Sequence, residues 1–174
     1  MDSYFNKIDT ILQPYLKMIG KDIGYINHTK RMFSYALELQ DLNEEEIEKF
    51  IIALCFHDLG IWTEQSFDYL APSVALAQNY LDKHHMQHYE KDVIQMIDEH
   101  HKLTHIKNND LAELFRKVDM MDVSCGVISF GIDKKNIKII KETFPNNGFH
   151  LSLIKWFGKR LRSKPWRPMP MLKW

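Results

Sequence analysis

A histidine–aspartate pair, His57 and Asp58, follows a very apolar segment and offers two metal-binding side chains next to each other. Residues 51–56 predict a buried helix, whose terminal carbonyl groups carry a partial negative charge that suits a cation. Adjacent helical side chains point about 100° apart, but both can reach one ion where the helix ends. Taken alone, the pair is short, and a capping His57 with a solvated Asp58 is the more frequent arrangement.

Two further metal-binding side chains fall on the apolar faces of other predicted helices. His28 precedes apolar residues by four and eight positions, and Asp119 follows Leu111 and Phe115 by eight and four positions. Both side chains are therefore predicted to lie at a buried surface. A lone histidine there is more often a satisfied core residue, whereas a buried carboxylate needs a metal ion or a cationic partner. Asp122, one turn later, is predicted either to contact a metal-binding side chain without binding the metal itself or to lie on the surface.

The order of these four residues and the segments around them resemble the HD superfamily. The matching segments are NHTKRM at 27–32, ALCFHDLG at 53–60, IQMIDEHH at 94–101 and KVD at 117–119. The resemblance covers about residues 20–125. It implies a compact all-α bundle in which one divalent metal ion is bound by His28, His57, Asp58 and Asp119. Histidine and aspartate ligands suit Mn, Fe, Co, Ni or Zn, and the sequence does not choose among them.

The number of metal ions is judged from the segment between the His-Asp pair and the later histidines. Many HD proteins with two metals carry a further histidine there, but residues 66–75 contain none. A mononuclear site is therefore favoured. His100 and His101 are assigned to substrate contact or acid–base assistance, with a polar rim at the helix end as an equal alternative. Asp68 is interpreted first as a helix N-cap.

The resemblance implies a metal-dependent phosphohydrolase that acts on a small nucleotide or another phosphate ester with metal-activated water. Asp58 is then placed to orient the nucleophile. Glu64 and Asp68 are candidates for protonating the leaving group, and solvated loop acids are the alternative interpretation. Lys30 and Arg31 are candidates for binding the phosphate, although a solvated helix face is equally compatible with them.

Two other functions fit the same residues. An HD-type di-iron oxygenase would need a two-metal site, which the absence of a histidine at 66–75 disfavours. A non-catalytic metal-containing domain that senses a ligand would have a closed coordination sphere with no open position. The acidic residues in the loop after the His-Asp pair and the basic residues near His28 favour the hydrolase over the sensing domain.

Apolar periodicity predicts helices throughout the chain and no convincing strand. The predicted helices span residues 3–13, 25–39, 43–58, 72–84, 89–101, 109–123, 133–144 and 151–161. Asn43 is a predicted N-cap before three glutamates, and Gly60 a predicted stop signal. The whole chain, 1–174, is interpreted as a single HD-like domain with a core at about 20–125 and C-terminal helices and a tail at 126–174.

The C-terminal tail contains three prolines between residues 164 and 170, so it cannot continue a regular helix. Its basic residues could close over an anionic substrate, with Trp166 stacking on a base. The alternative is a surface strap whose tryptophans pack on the bundle. Tail tryptophans and methionines are also compatible with a homodimer contact.

Charge and composition limit the classes of partner that are expected for the protein. The 174 residues contain 23 Lys+Arg and 23 Asp+Glu, which gives a formal net charge of zero. This balance disfavours a nucleic acid or a membrane surface as the partner and favours a small molecule. The first residues have neither the basic nor the apolar region of a secretory signal, so a cytoplasmic location is expected.

Overall fold

The apolar periodicity of the sequence produces an all-α fold, as predicted. The computed structural model describes residues 2–19 and 23–173, and this part of the chain contains no strand. Its helices are α1 (Asp2–Leu12), α2 (Leu16–Ile19), α3 (Ile23–Leu39), α4 (Glu44–Phe56), α5 (Gly60–Glu64), α6 (Leu70–Lys83), α7 (Glu90–Glu99), α8 (Asp110–Val123), α9 (Lys134–Thr143) and α10 (Phe149–Ser163), with 3-10 turns at Gln13–Tyr15 and Gln87–Tyr89. The boundaries of the eight predicted helices agree within two residues, while the short helices α2 and α5 were not predicted.

The N-terminus of α4 confirms the predicted N-cap. The side chain of Asn43 accepts a hydrogen bond from the backbone N–H of Glu46 at 3.0 Å. In return, the carboxylate of Glu46 accepts from the backbone N–H of Asn43 at 2.9 Å. This reciprocal capping box satisfies two of the backbone donors that a helix start leaves unpaired. It fixes where the helix that leads to His57 begins.

The C-terminus of α4 differs from the prediction. α4 ends at Phe56 rather than Asp58, and Gly60 is the first residue of α5 instead of a helix stop. The backbone N–H of His57 still donates to the carbonyl of Ala53 at 2.9 Å. His57 and Asp58 therefore lie in the short turn between two helices, where their side chains can converge.

Gly60 is needed at this turn because α6 approaches it closely. A Cβ atom on Gly60 would lie 2.4 Å from the carbonyl oxygen of Tyr69 and 2.9 Å from Oγ of Ser73. The backbone N–H of Gly60 donates to the same Ser73 oxygen at 3.0 Å. The predicted role of Gly60 as a helix stop is therefore wrong, because this position needs glycine for close packing against α6.

The centre of the bundle forms where α3, α4, α7 and α8 meet. α3 packs against α8, α4 packs against α7, and α7 packs against α8. Their inward faces are rich in fully buried Ile, Leu and Phe side chains, whose removal from water is the main stabilising contribution. His28 lies on α3 and Asp119 on α8, while His57 and His100 directly follow α4 and α7. The core helices thus carry the candidate ligands to one place.

The C-terminal tail returns to the bundle after α10. The backbone N–H of Leu103 donates to the carbonyl of Lys173 at 2.8 Å, and Met171 is buried. Trp166 is 80% exposed, so it does not pack on the bundle. The tail is attached as a strap, but not through this tryptophan. None of the described helices combines the length and apolar character needed to cross a bilayer.

Candidate metal centre

Six histidine and aspartate side chains from four parts of the bundle form one group, here called the His/Asp cluster. Its members are His28, His57, Asp58, His100, His101 and Asp119. They form two triads, one of His28, His57 and Asp119 and one of Asp58, His100 and His101, and within each triad the ligand atoms lie within 4.8 Å of one another. All members are buried except His101, whose side chain is 20% exposed. The four predicted ligands are brought together, but Asp58 belongs to the second triad.

The first triad directs two imidazole nitrogens at one point. Nδ1 of His57 lies 2.9 Å from the carbonyl oxygen of Leu54, which can only accept, so Nδ1 carries the proton. Nδ1 of His28 lies 2.6 Å from the carboxylate of Asp122, which also accepts. The Nε2 atoms of both rings therefore point away from these partners, and they face each other at 3.1 Å. Nε2 of His28 also lies 3.7 Å from Oδ1 of Asp119.

This arrangement fits a bound cation. Two imidazole nitrogens at such a distance need a proton or a metal ion between them, and a metal ion would bind both. Burial lowers the pKa of His57 to about 3, so its Nε2 takes no proton near neutral pH. A divalent ion bound by His28, His57 and Asp119 would satisfy the lone pairs that the fold directs at one point.

Two carboxylates connect the triads. Asp58 places Oδ2 at 3.5 Å from Nε2 of His57 and Oδ1 at 3.6 Å from Nε2 of His100. Asp119 directs Oδ1 toward His28 and Oδ2 toward Nδ1 of His101, the latter at 3.7 Å. Oδ1 of Asp58 and Oδ1 of Asp119 are buried and have no hydrogen-bond partner among the described residues. Because an unpaired buried oxygen is costly, both atoms are further signs of a cation site.

In the second triad, a backbone carbonyl holds the ring of His100, as it holds the ring of His57 in the first triad. Nδ1 of His100 donates to the carbonyl of Ile97 at 2.7 Å, which directs Nε2 toward Oδ1 of Asp58 at 3.6 Å. His101 differs, because its Nε2 lies 2.6 Å from the hydroxyl of Tyr69. Tyr69 is buried, and burial together with Asp58 raises its pKa well above the ordinary value, so the phenol is protonated. The segment that lacks a histidine supplies this tyrosine instead.

Sequence reasoning did not identify Tyr69 as a functional residue. It lies in residues 66–75, whose lack of a histidine favoured a mononuclear site. An aromatic residue just before a helix start is an ordinary core signal. Its contact with His101 depends on how α6 and α7 pack, which periodicity does not reveal.

Charges in the cluster depend on burial and on close neighbours. Burial alone would raise the pKa of Asp58, but His57 and His100 lower it further than burial raises it. Burial raises the pKa of Asp119 to about 6, and the nearby Asp58 adds to this rise. A cation beside Asp119 would favour its ionised form. Burial lowers the pKa of His100, but the nearby carboxylates of Asp58 and Asp119 raise it more.

A buried ion pair between Arg31 and Asp122 fixes the orientation of His28 through the Nδ1 side of its ring. Nε and Nη2 of Arg31 donate to the two oxygens of Asp122 at 2.6 and 2.7 Å, and Nη1 donates to the carbonyl of Phe144 at 2.9 Å. Burial opposes the ionisation of Asp122, but Arg31 and His28 outweigh it and hold its pKa well below the usual range. Asp122 thus orients His28 as an outer partner, the first of its two predicted roles.

Of four residues predicted to act on substrate, three lie in other contacts and the fourth is exposed. Arg31 is 2% exposed with its guanidinium taken up by Asp122, and Lys30 pairs with Asp9 at 2.7 Å. Asp68 pairs with Arg160 at 2.5 Å and with Lys164 at 3.6 Å, and Glu64 is exposed at the end of α5. The phosphate-binding role of Lys30 and Arg31 and the leaving-group role of Glu64 and Asp68 stay predictions, without a supporting contact in the structure.

Comparison with protein-family models, with curated proteins and with solved structures finds no match to this chain. The helical fold and the buried His/Asp cluster are compatible with an HD-like domain, and the cluster could hold a metal ion.

Proposed function

We propose that this protein is a metal-dependent phosphohydrolase of the HD type that acts on a small nucleotide or another phosphate ester. The observation that carries the proposal is the pair of Nε2 atoms of His28 and His57, buried and 3.1 Å apart, with Asp119 beside them. Nitrogen and carboxylate donors of this kind suit Mn, Fe, Co, Ni or Zn. Phosphate ester hydrolysis is the outcome that the HD-like motifs imply for such a site.

The residues of the His/Asp cluster have two proposed roles, because some would hold the metal ion and others would assist proton transfer. His28, His57 and Asp119 would hold the ion, and Oδ2 of Asp58 completes the set. A divalent metal bound there acidifies water and polarises a phosphoryl oxygen. Oδ1 of Asp58 lies 3.6 Å from Nε2 of His100, so these two groups are placed to hold or pass a proton between them.

Substrate would approach from the side of His101. This residue is the one member of the His/Asp cluster with partial exposure, and Tyr69 and the strap lie next to it. The backbone N–H of Lys173 lies 3.5 Å from the carbonyl of His101. The predicted substrate contact of His101 accordingly becomes the best supported of the substrate contacts, ahead of Lys30 and Arg31.

A di-iron oxygenase is the second candidate. The observation that favours it is the second triad, because Asp58, His100 and His101 supply a further set of ligands despite the missing histidine. Asp58 and Asp119 each have one oxygen toward either triad, an arrangement that suits two ions as well as one.

Metal content and turnover of the purified protein test these proposals. The metal-stripped chain would be re-supplied with each of the five metals and offered a panel of nucleotides and phosphate esters, with phosphate release as the readout. His57→Ala should lose both the metal and turnover, whereas the exposed His88→Ala should behave as the wild type. One metal per chain with phosphate release supports a mononuclear hydrolase, and two metals with release support a dinuclear one.

Other outcomes would replace the hydrolase. Two irons per chain with oxygen consumption but without phosphate release would move the oxygenase to first place. A tightly held metal without turnover on any ester or with oxygen would favour the sensing domain. Absence of metal binding in the wild type would overturn the metal centre itself.

A further inference from the structure

The formal neutrality of the chain conceals a strong separation of charge along it. Residues 143–174 contain seven Lys and Arg residues and no Asp or Glu, so the remainder carries an equal net negative charge. The C-terminal region includes α10 and the following strap. Three of the seven cations pair with carboxylates of the bundle, Arg160 and Lys164 with Asp68 and Lys173 with Asp98. The other four form no ion pair with a described residue, so they are available to an anionic partner in a way that the overall composition did not indicate.

α10 is divided into three faces. Phe149 and Trp156 lie on the inward face, which packs on the bundle. On the outer side, an apolar face is formed by Leu151 (55% exposed), Ile154 (65%), Phe157 (37%) and Leu161 (43%). These four residues recur at spacings of three or four and so line one side of the helix. Nothing in the described part of the chain covers this face.

Basic side chains lie along one edge of the apolar face. They are Lys155, Lys159 and Arg162, one turn or nearly one turn apart. Lys155 and Arg162 form no ion pair with any described residue, and Lys159 lies over the ring of Trp156 at 4.7 Å. With Ile154 and Ser163 they surround a shallow depression of about 700 Å³ above Gly158. The edge thus offers several cations close to exposed apolar groups.

Trp166 extends the same kind of surface beyond the helix. It is 80% exposed and lies between Lys164 and Arg167 in the sequence. Tryptophan with neighbouring cations is typical of segments that lie at the boundary between lipid headgroups and acyl chains.

We propose that α10 and the Trp166 segment dock in the plane of an anionic phospholipid surface. An amphipathic helix with exposed apolar residues and flanking cations binds such a surface by apolar insertion together with charge attraction. Pairing of two copies through α10 would bring like charges together, and nucleic acid would attract the cations but leave the apolar face uncovered. The inference does not depend on the metal centre.

Vesicle sedimentation of the full-length protein tests the proposal. Vesicles would contain phosphatidylcholine alone or phosphatidylcholine with about 40% phosphatidylserine, a composition chosen to give a strongly negative surface. The wild type should bind the anionic vesicles, bind neutral vesicles at least about tenfold more weakly, and lose affinity as salt is raised. Lys155→Glu/Arg162→Glu should reduce the partition coefficient by about tenfold or more. Leu151→Gln/Ile154→Gln should also reduce it.

Matched controls distinguish vesicle binding through the outer face of α10 from general electrostatic attraction to the vesicle. Lys91→Glu/Lys107→Glu makes the same charge change at exposed lysines elsewhere and should bind vesicles more tightly than Lys155→Glu/Arg162→Glu does. Equal losses in both double variants would overturn the proposal, as would equal binding to neutral and anionic vesicles. Two further outcomes would overturn the proposal. In one, the wild type binds a single-stranded oligonucleotide but not vesicles. In the other, the wild type does not bind vesicles and forms a dimer, which the substitutions Leu151→Gln/Ile154→Gln dissociate.

Discussion

The His/Asp cluster and the outer face of α10 depart from the usual placement of polar and apolar groups in opposite ways. In the cluster, oxygens of Asp58 and Asp119 are buried and have no hydrogen-bond partner in the described chain. On α10, Leu151 and Ile154 are more than half exposed. Both arrangements are unfavourable for the chain by itself, because one leaves polar atoms unpaired and the other leaves apolar surface in water. Each therefore supports the external partner proposed for it, a cation in one case and a lipid surface in the other.

The two regions also differ in how firmly their side chains are held. His57 is fixed by the carbonyl of Leu54, and His28 is fixed by Asp122, which is itself held by Arg31. The outer face of α10 has no comparable supports in the described chain. Substitutions of the metal ligands and of Arg31 should therefore change folding stability and metal affinity together, whereas substitutions of Leu151 and Ile154 on the outer face of α10 should change binding with little change in stability.

The largest effect is expected for Arg31→Met, which removes the cation from a buried ion pair. Asp122 would remain buried with an uncompensated charge, so the free energy of unfolding should fall by about 3–5 kcal/mol. Metal affinity should also fall, by about 10–100-fold, because His28 loses the partner that orients it. Urea denaturation and metal titration measure the two changes.

Lys30→Met is the matched control for this prediction. Lys30 lies on the same helix and pairs with Asp9, whose side chain is 47% exposed, so its loss should cost less than about 1 kcal/mol. Metal affinity should stay as in the wild type. If both variants lost the same stability, the argument that burial makes the Arg31–Asp122 pair important would be wrong.

The sequence indicated much of this fold because its signals were local. Helical periodicity located the eight longer helices, and Asn43 with its following glutamates marked a helix start that the capping box confirms. The buried faces of His28 and Asp119 followed from their spacing to apolar neighbours. These inferences needed only the helix repeat and the rule that apolar faces turn inward.

The rest depended on tertiary packing. The spacing of Asp58 does not reveal that its two oxygens face different triads, because that depends on where α7 ends relative to α4. Arg31 was assigned to phosphate on the basis of its position one turn from His28. The fold instead brings Asp122 to it from α8, 91 positions along the chain.

A second prediction concerns the turn that holds His57 and Asp58. Gly60→Ala would place a Cβ atom 2.4 Å from the carbonyl oxygen of Tyr69, so α5 and α6 must separate. The free energy of unfolding should fall by about 1–3 kcal/mol. Gly158→Ala is the control, since no atom lies near its added Cβ on α10, and there alanine should stabilise the helix by about 0.5–1 kcal/mol. Opposite signs in urea denaturation would bear out the packing argument, and a neutral Gly60→Ala would refute it.

A smaller effect is expected for Tyr69→Phe, which removes the hydroxyl that contacts His101 at 2.6 Å. Loss of this hydrogen bond should cost about 1 kcal/mol. The first metal equivalent should bind as in the wild type, because the hydroxyl contacts neither His28 nor His57. Tyr35→Phe is the control, since its buried hydroxyl has no partner and its removal should be neutral or stabilising. Equal stability of the two variants would mean that the contact with His101 contributes nothing.

The smallest change in stability is expected for Leu151→Gln/Ile154→Gln on the outer face of α10. Both side chains are largely in water, so the free energy of unfolding should change by no more than about 0.5 kcal/mol while vesicle binding falls. Leu153→Gln is the control, because Leu153 packs against the core from the same helix and its substitution should cost at least about 1 kcal/mol. Urea denaturation of the three proteins measures the difference. A large loss of stability in Leu151→Gln/Ile154→Gln would show that this face is covered within the protein itself, and the contrast between the buried cluster and an exposed docking face would no longer hold.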